Sequence, residues 1–518
     1  MDTANIPLGA ILGFVVYCIL KFLYPLAFQK KNSDRLPYPP GPKPSFLIGN
    51  ALDFPRSGHS KVFLQWGKIS NSDVVFATAF GRHLIVLNSI KAADDLLGRK
   101  GDLYNDRPTL PVTGIIGWDW NMGLMEIGRG WRAHRRAAHE WLGKTAVHRY
   151  QSIQYQTVYN FLQKIVIDPD SYSQHSNTFS AEVILSMMYG YVPKSVQDPL
   201  VDAAEESALL AFGLILIGSS AIHLLPFLRH IPVWFPFASA QKKAARCRKI
   251  TQEMQRLPVE FVKKSMADGS AVPSVLTDFY ERQATTGVSE EEEEIMKNIS
   301  WTAYGAASDT TATPIVVFIY LMVKYPEIQR RAQAEIDRVV GDERLPNFND
   351  REDMPYIEAI YREVLRFHPP AVLSIPHTLT ADDVYNGYFL PKGSTVYTNL
   401  WAMMHDERVF PEPDVFKPER FLDERGELLD SRVFAYGFGT HICPGRFIDS
   451  SNLWLLMASF LCCFNTSRAI DEAGNEVEIN EEWLDFGAVI HKKPVACRIT
   501  PRSIHKSSLI DAHVEQNN

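Results

Sequence analysis

The stretch YGFGTHICPGR, Tyr436 to Arg446, puts a single cysteine, Cys443, on a glycine-rich turn just ahead of a helix. Gly437 and Gly439 let the backbone turn tightly and approach a flat group without side-chain clash, and Gly445 does the same beyond the cysteine. Pro444 suits the first position of a helix, where its missing N–H costs nothing. The residues Leu453, Leu456, Met457, Phe460, Leu461 and Phe464 recur at three- and four-residue spacing, which predicts a buried helix. Cys443 therefore lies at a helix mouth, where unpaired N–H groups and the helix dipole favour a thiolate over a thiol.

A thiolate so placed can hold haem iron and favour O–O cleavage. By itself a Cys-Pro-Gly is as readily a buried free cysteine, so the rest of the chain has to decide. In AASDTT, Ala306 to Thr311, an acid, Asp309, stands beside an alcohol, Thr310, in a long and largely apolar segment that Ser289 can cap and Glu290 to Glu294 can start. Such a pair either caps a local distortion or relays protons. Pro314 cannot donate to the carbonyl of Thr310, so the helix is predicted to open there. Glu363 and Arg366 in EVLR share a helix face, with Arg420 following in KPERF. Alone they read as a surface pair worth about half a kcal/mol. In WRAHR, Trp131 and Arg135 are one turn apart and face the same way, which suits them to grip a carboxylate.

Together these motifs resemble the cytochrome P-450 monooxygenases, and the resemblance covers nearly the whole chain after residue 36. It implies a mainly α fold with small β-sheets and heme b whose iron is ligated by Cys443. The loop is similar to that family's Phe-Gly-x-Gly-x-x-x-Cys-x-Gly, with Tyr436 where phenylalanine normally packs near the sulfur, so its hydroxyl is expected to adjust hydrogen bonding there. Trp131, Arg135, His377 and His441 fall where propionate-binding groups lie. Glu363, Arg366 and Arg420 resemble the buried network that holds the haem loop in place, and Asp309 and Thr310 the pair that delivers protons to bound dioxygen. Ala307 stands where a glycine is common. By the same resemblance the substrate pocket is expected to use Ile115, Ile116, Trp118, Leu214, Thr302, Ala303, Ala306, Val372, Leu373 and Phe486, mostly apolar and suited to a lipophilic small molecule.

The resemblance further implies NADPH electrons arriving through a membrane-bound flavoprotein, NADPH-cytochrome reductase, with a cytochrome b-type protein as a further donor. The alternative within the same fold is a haem-thiolate isomerase or peroxygenase that needs no electron donor; retention of Asp309 and Thr310 favours the monooxygenase. The style of IPHTLTADDVYNGYFLPKGSTV resembles fungal members of secondary metabolism acting on terpenoids, polyketides or alkaloids.

Composition narrows the organisation. The chain has 518 residues, net charge −7 and six irregularly spaced cysteines. That is no disulfide framework and points to a reducing, cytosol-facing location, and no basic block or zinc-spaced Cys/His set suggests nucleic acid. Ile6 to Phe28 has one charge, Lys21, and is long enough to span a bilayer. Lys30, Lys31 and Arg35 follow it, which predicts an endoplasmic reticulum membrane anchor with the body in the cytosol. The expected organisation is an anchor over 1–29, a basic and proline-rich hinge over 30–43, and a catalytic domain over 44–518. Two sequons, Asn298 and Asn465, would then stay unglycosylated. The apolar stretch Leu209 to Phe237 is interrupted by Gly213, Gly218, Pro226 and Arg229, and reads as a helix over the site followed by a membrane-dipping loop carrying Trp234 and Phe235. Strands are expected near Val74 to Leu87, Val384 to Val396 and Val489 to Ile499.

Overall fold

A computed structural model describes residues 36–517 except 47, 56, 194–197, 216–219, 237, 430–431 and 486–488. The expected anchor, the start of the hinge and Phe486 lie outside the described residues. The helices that position the site are α1 (Arg129–Leu142), α2 (Pro199–Ile215), α3 (Ser239–Ala267), α4 (Glu290–Thr310), α5 (Ala312–Lys324), α6 (Pro355–Phe367) and α7 (Arg446–Cys463). α4 starts as its sequence predicts: Glu292 N–H donates to the Ser289 hydroxyl, and the Glu292 carboxylate accepts from Ser289 N–H at 3.0 Å. From Leu453 to Cys463 α7 is buried on every side, as a run apolar but for Ser459 requires. The helical stretch 290–324 is long and apolar enough to cross a membrane, yet it is mostly buried within the protein.

Each expected strand region resolves into more than one strand. β1 (Val74–Ala79) and β2 (Arg82–Leu87) form a hairpin through Phe80 and Gly81, both at positive φ. β3 (His377–Thr378) is short, and β4 (Asp383–Tyr385) turns into β5 (Tyr388–Leu390) at Asn386-Gly387, a pair suited to a tight hairpin turn. β6 (Thr395–Thr398) runs parallel to β2 and antiparallel to β3, giving a four-stranded sheet in the order β1-β2-β6-β3. Near the C-terminus β7 (Phe464–Arg468) pairs with β10 (Cys497–Pro501), and β8 (Trp483–Asp485) with β9 (Ile490–Lys492). Phe464, read from the sequence as the end of a helix, is the first residue of β7.

The described part of the proline run is docked and not a free hinge. Phe76 N–H donates to Pro40 O at 3.1 Å and Phe389 N–H to Pro37 O at 2.8 Å, while Tyr38 stacks on Phe76 with centroids 4.7 Å apart. A Cβ on Gly41 would lie 1.9 Å from Phe76 O, so only glycine allows this approach.

α6 ends against the C-terminal strands through His368. Its Nε2–H donates to Ile490 O at 2.7 Å, and its ring stacks on Trp483 with centroids 4.1 Å apart. Burial pushes this imidazole down to about 3, against an opposing pull from the Ile490 carbonyl. It stays neutral in the fold while the unfolded chain protonates near its ordinary value, so its contribution is complete above that value and is lost as pH falls toward 3. His368→Gln removes the titration. The stability gap between the native chain and this variant is expected to shrink as pH falls from 6.5 toward 4, by at most about 1.4 kcal/mol per unit. Thermal melts of the full chain in detergent across that range measure it; a constant gap would refute it.

Candidate active site

A cavity lies between α4 and the 436–445 loop. Its wall includes Tyr436, Gly437, Cys443, Pro444 and Gly445 from the loop, and Thr302, Ala303, Ala306, Ala307, Thr310 and Thr311 from α4 and the break after it. Gly439 stands outside this wall, at φ +64°, where a Cβ would fall 2.5 Å from Leu97 O and from Asn105 Oδ1. Glycine there lets the loop pack against 97–105. α7 starts at Arg446 with Gly445 as its N-cap, so Pro444 precedes the helix and does not open it. Burial pushes the Cys443 thiol up to about 11, with Asp449 adding to the shift and Gly445 N–H opposing it. Desolvation thus outweighs the helix-end field that the sequence reading relied on. A thiol buried in this way becomes a thiolate when a metal cation compensates the charge.

One part of the wall collects Arg107, Trp131, Arg135, His377 and His441. Ring centroids of His441 lie 4.7 Å from Trp131 and 5.7 Å from His377. Arg135 Nη2 donates to Ile442 O at 2.6 Å, and Arg107 Nη1 to Ile375 O at 2.7 Å and Pro376 O at 2.9 Å. Among the described residues three buried atoms here lack any partner: Arg107 Nε, His377 Nδ1 and His441 Nε2. Burial and the adjacent guanidiniums hold His441 down to about 2 and His377 well below its ordinary range, so both rings are neutral and their orphaned nitrogens carry lone pairs or N–H groups according to tautomer. Arg107 Nε is a donor in any state, and leaving it unsatisfied costs about 1–3 kcal/mol, so the arginine side of the cluster is suited to receive an acceptor. Arg107 was not foreseen, since a lone arginine in NDRP carries no periodic or spacing signal.

The expected opening beside Pro314 is present. The helix breaks at Thr311, and Pro314 falls in the first turn of α5, where its missing N–H is tolerated. Side chains take up carbonyls around the break: Thr310 Oγ1 donates to Ala306 O at 2.7 Å, Ser180 to Ala307 O at 2.7 Å and Thr313 to Asp309 O at 3.0 Å. Thr310 lines the cavity, whereas Asp309 does not; its carboxylate, 31% exposed, pairs with His491 Nε2 at 3.1 Å. The acid and the alcohol are therefore adjacent in sequence but turned to different surroundings. His491, on β9, was invisible to motif reading.

Of the expected pocket residues, Trp118, Thr302, Ala303 and Ala306 line the cavity. Ile115, Ile116 and Leu214 do not; they pack behind it with Ala208, Ala211 and Cys247. Leu373 is buried against Phe63, Val86 and Tyr397, and Val372 is buried beside it, while Ala371, Ser374 and Ile375 form the wall instead. The loop after Trp118 supplies Asn121, Met122 and Leu124. The Trp118 indole N–H is held by Ser207 at 3.2 Å and Thr251 at 3.1 Å, which fixes the face it presents.

Glu363, Arg366 and Arg420 form a buried network, not a surface pair. Arg366 donates to Glu363 through Nε at 2.7 Å and Nη2 at 2.8 Å, and Arg420 Nε donates to Glu363 Oε1 at 3.1 Å. Lys417 N–H adds a fourth bond to the same carboxylate at 2.9 Å. Arg366 Nη1 continues to Met404 O at 2.9 Å, and Arg420 Nη1 to Pro411 O at 2.8 Å.

Comparison with known proteins agrees with this geometry. The cytochrome P-450 family model matches residues 39–497. The chain belongs to the cytochrome P-450 family. Among its relatives, the cytochrome P-450 monooxygenase claR of Ampulloclitocybe clavipes is 37% identical over 91% of this chain and 88% of its own length. The monooxygenase COX2 of Coprinopsis cinerea is 36% identical over 97% and 96%, and ple1 of Rhodocybe pseudopiperita 33% identical over 96% and 95%. As a P-450 monooxygenase the chain is an oxidoreductase that incorporates oxygen, its cofactor is a haem held by cysteine thiolate, and enzymes of the family usually work with a redox partner. The residues present fit that group: a cysteine lies in the cavity wall, and the guanidiniums of Arg107 and Arg135 line the same cavity, with the orphaned donor Arg107 Nε where a carboxylate can satisfy it.

Removing one partner of a buried ion network costs about 3–5 kcal/mol, because the remaining charges stay buried. Glu363→Gln is therefore expected to lower the thermal midpoint strongly and reduce haem incorporation. Lys91→Ala, which breaks an exposed pair with Asp95, should cost at most about 1 kcal/mol. Differential scanning calorimetry of the two variants and pyridine haemochrome assay distinguish them; equal effects would contradict a central role for Glu363.

Proposed function

We propose that the chain is a membrane-anchored haem-thiolate monooxygenase that draws NADPH electrons through a flavoprotein reductase and inserts one oxygen atom from O2 into a lipophilic small molecule. The observation that carries this reading is the placement of Cys443 and Thr310 in one cavity that also collects Arg107 and Arg135, with the buried donor Arg107 Nε unpaired among the described residues. Cys443 holds the iron as a thiolate. Arg107, Trp131, Arg135, His377 and His441 would hold the haem carboxylates, which would also supply an acceptor for Arg107 Nε. Bound there, the haem supplies the oxygen activation.

The protein's own part is to orient substrate and to manage protons. Thr310 Oγ1 donates its own proton to Ala306 O, so on the cavity wall it offers lone pairs that accept a hydrogen bond and passes a proton on only by giving up that bond, while Asp309 is paired with His491 on a partly exposed face. Beside these polar clusters the wall offers apolar faces from Trp118, Met122, Leu124, Phe212, Ile299 and Ile375, with Asn121, Thr302 and Ser374 among them, which suits a terpenoid, polyketide or alkaloid of fungal secondary metabolism. Residues 1–29 anchor the chain in the endoplasmic reticulum membrane with the body in the cytosol. Trp234, 79% exposed, and Phe235, 45% exposed, follow α2 and enter the bilayer surface, so that substrate arrives from lipid. Asn298 is buried and unsuited to glycosylation, in keeping with a cytosolic face.

Two outcomes follow. The reduced carbon monoxide complex of the full chain is expected to show the red-shifted Soret band of a thiolate haem, and Cys443→Ala to abolish it; an unchanged spectrum in the variant would falsify the ligand assignment. Turnover is expected to require NADPH and reductase and to weaken as salt rises. Arg132 and Arg136, both exposed on α1, offer positive charge to an acidic flavin domain. Changing both to glutamate should slow turnover at least several-fold while the carbon monoxide spectrum survives. Full turnover on peroxide or substrate alone, without reductase, would move the chain to the peroxygenase or isomerase class.

A further inference from the structure

The first turn of α7 carries a carboxylate that the site described so far does not use. Asp449 lines the same cavity as Cys443. Its Oδ1 accepts from Thr311 Oγ1 at 2.8 Å, at the break between α4 and α5, and its Oδ2 accepts from Tyr436 OH at 2.9 Å, in the cysteine loop. The hydroxyls of Tyr436 and Tyr361 are 2.8 Å apart, which extends the chain of bonds to α6. The Tyr436 hydroxyl is therefore committed to Asp449 and Tyr361; the expectation that it would adjust bonding at the sulfur is replaced by this arrangement. Among the described residues Asp449 has no cationic ion-pair partner, in contrast to Glu363, which has two. Burial raises its carboxyl to about 6, and the hydrogen bonds from Thr311 and Tyr436 oppose that rise. Both donors favour the ionised form.

We propose that Asp449 is a fixed negative charge, held by Thr311 and Tyr436, that lowers the reduction potential of the haem bound at Cys443. The reasoning rests on the haem-thiolate assignment above. A porphyrin dianion and a thiolate neutralise ferric iron, so the one electron that converts ferric to ferrous iron leaves a net negative centre, with no bond made or broken. Adding that electron beside an unpaired carboxylate in a medium of low dielectric is unfavourable, and net charge and burial are established levers on haem potentials. Tyr361 and Tyr436 act through Asp449 as positioning residues, keeping the carboxylate on the cavity wall without neutralising it. Nothing comparable is provided by the other polar cluster, where Arg107 and Arg135 are cationic and the imidazoles neutral.

The test is a spectroelectrochemical titration of the full chain in detergent at pH 8, with no substrate, on variants that first show the thiolate carbon monoxide band. Asp449→Asn keeps the shape and removes the charge. Its midpoint is expected to move positive by at least the equivalent of a tenfold change in the reduction equilibrium, about 59 mV for one electron. Tyr436→Phe removes one of the two donors that favour the ionised carboxylate, so its midpoint is read with the pH raised from 8 until it no longer changes; there the charge is present and the midpoint should stay near that of the native chain under the same conditions. An Asp449→Asn midpoint equal to the native value overturns the proposal. A Tyr436→Phe shift as large as that of Asp449→Asn also overturns it, in favour of hydrogen bonding within the loop. If Asp449→Asn takes up no haem, Asp449→Ser removes the same charge with less bulk and gives the same reading; failure of both to take up haem makes Asp449 a packing residue and ends the proposal. Loss of the thiolate band in the native chain would instead refute the haem-thiolate assignment and leave these potentials without meaning as a test of charge.

Discussion

The carboxylate of Glu363 is the constraint on which the site's proximal side depends. It lies at zero exposure and receives Arg366 on one side, Arg420 and a backbone N–H on the other. Removing any partner leaves a buried charge uncompensated, so α6 and the 404–420 segment have little freedom to move apart. The same helix presents Tyr361 to Tyr436 and His368 to β9. One helix thus fixes the cysteine loop, the return segment before it and the C-terminal strand pair. The network contributes little net stability compared with an apolar core, but it specifies one arrangement of loop against helix.

The break at Thr311 has a comparable role across the cavity. A continuous helix would have paired the carbonyls of Thr310 and its neighbours internally; with Pro314 in place, hydroxyls from Ser180, Thr310 and Thr313 take up carbonyls nearby. Consecutive residues meet different environments here: Thr310 faces the cavity, Thr311 meets Asp449, and Asp309 meets His491. Asp309 and Thr310 diverge because neighbours on a helix point about 100° apart, and Thr311 stands at the break itself.

What the sequence revealed and what it hid follow the same physical line. Cys443, the Ser289 cap, the Pro314 opening and the Glu363 and Arg366 pair were legible because each depends on residues close together in the chain, where spacing fixes geometry. Arg107, Asp449 and His491 were not, because their significance arises only when distant segments meet. Burial was out of reach of spacing alone: it reverses the thiol shift expected at Cys443, and it was the family resemblance, not the helix spacing, that pointed to the interior network of Glu363, Arg366 and Arg420. The pocket wall was half legible for a related reason. Ile115, Ile116 and Leu214 are apolar as a wall residue should be, but apolarity alone cannot separate a cavity face from the layer packed behind it.

The charges around the cavity show a division that no single motif contains. Arg107 and Arg135 lie beside two neutral histidines, where burial suppresses imidazole charge and leaves the guanidiniums to meet anions. Asp449 stands in a different cluster, bonded to two hydroxyls, with no cationic ion-pair partner among the described residues. A planar cofactor carrying carboxylates on one edge would have that edge held by Arg107 and Arg135 and kept away from Asp449, and the glycines of the cysteine loop would allow its close approach in the orientation that these charges favour.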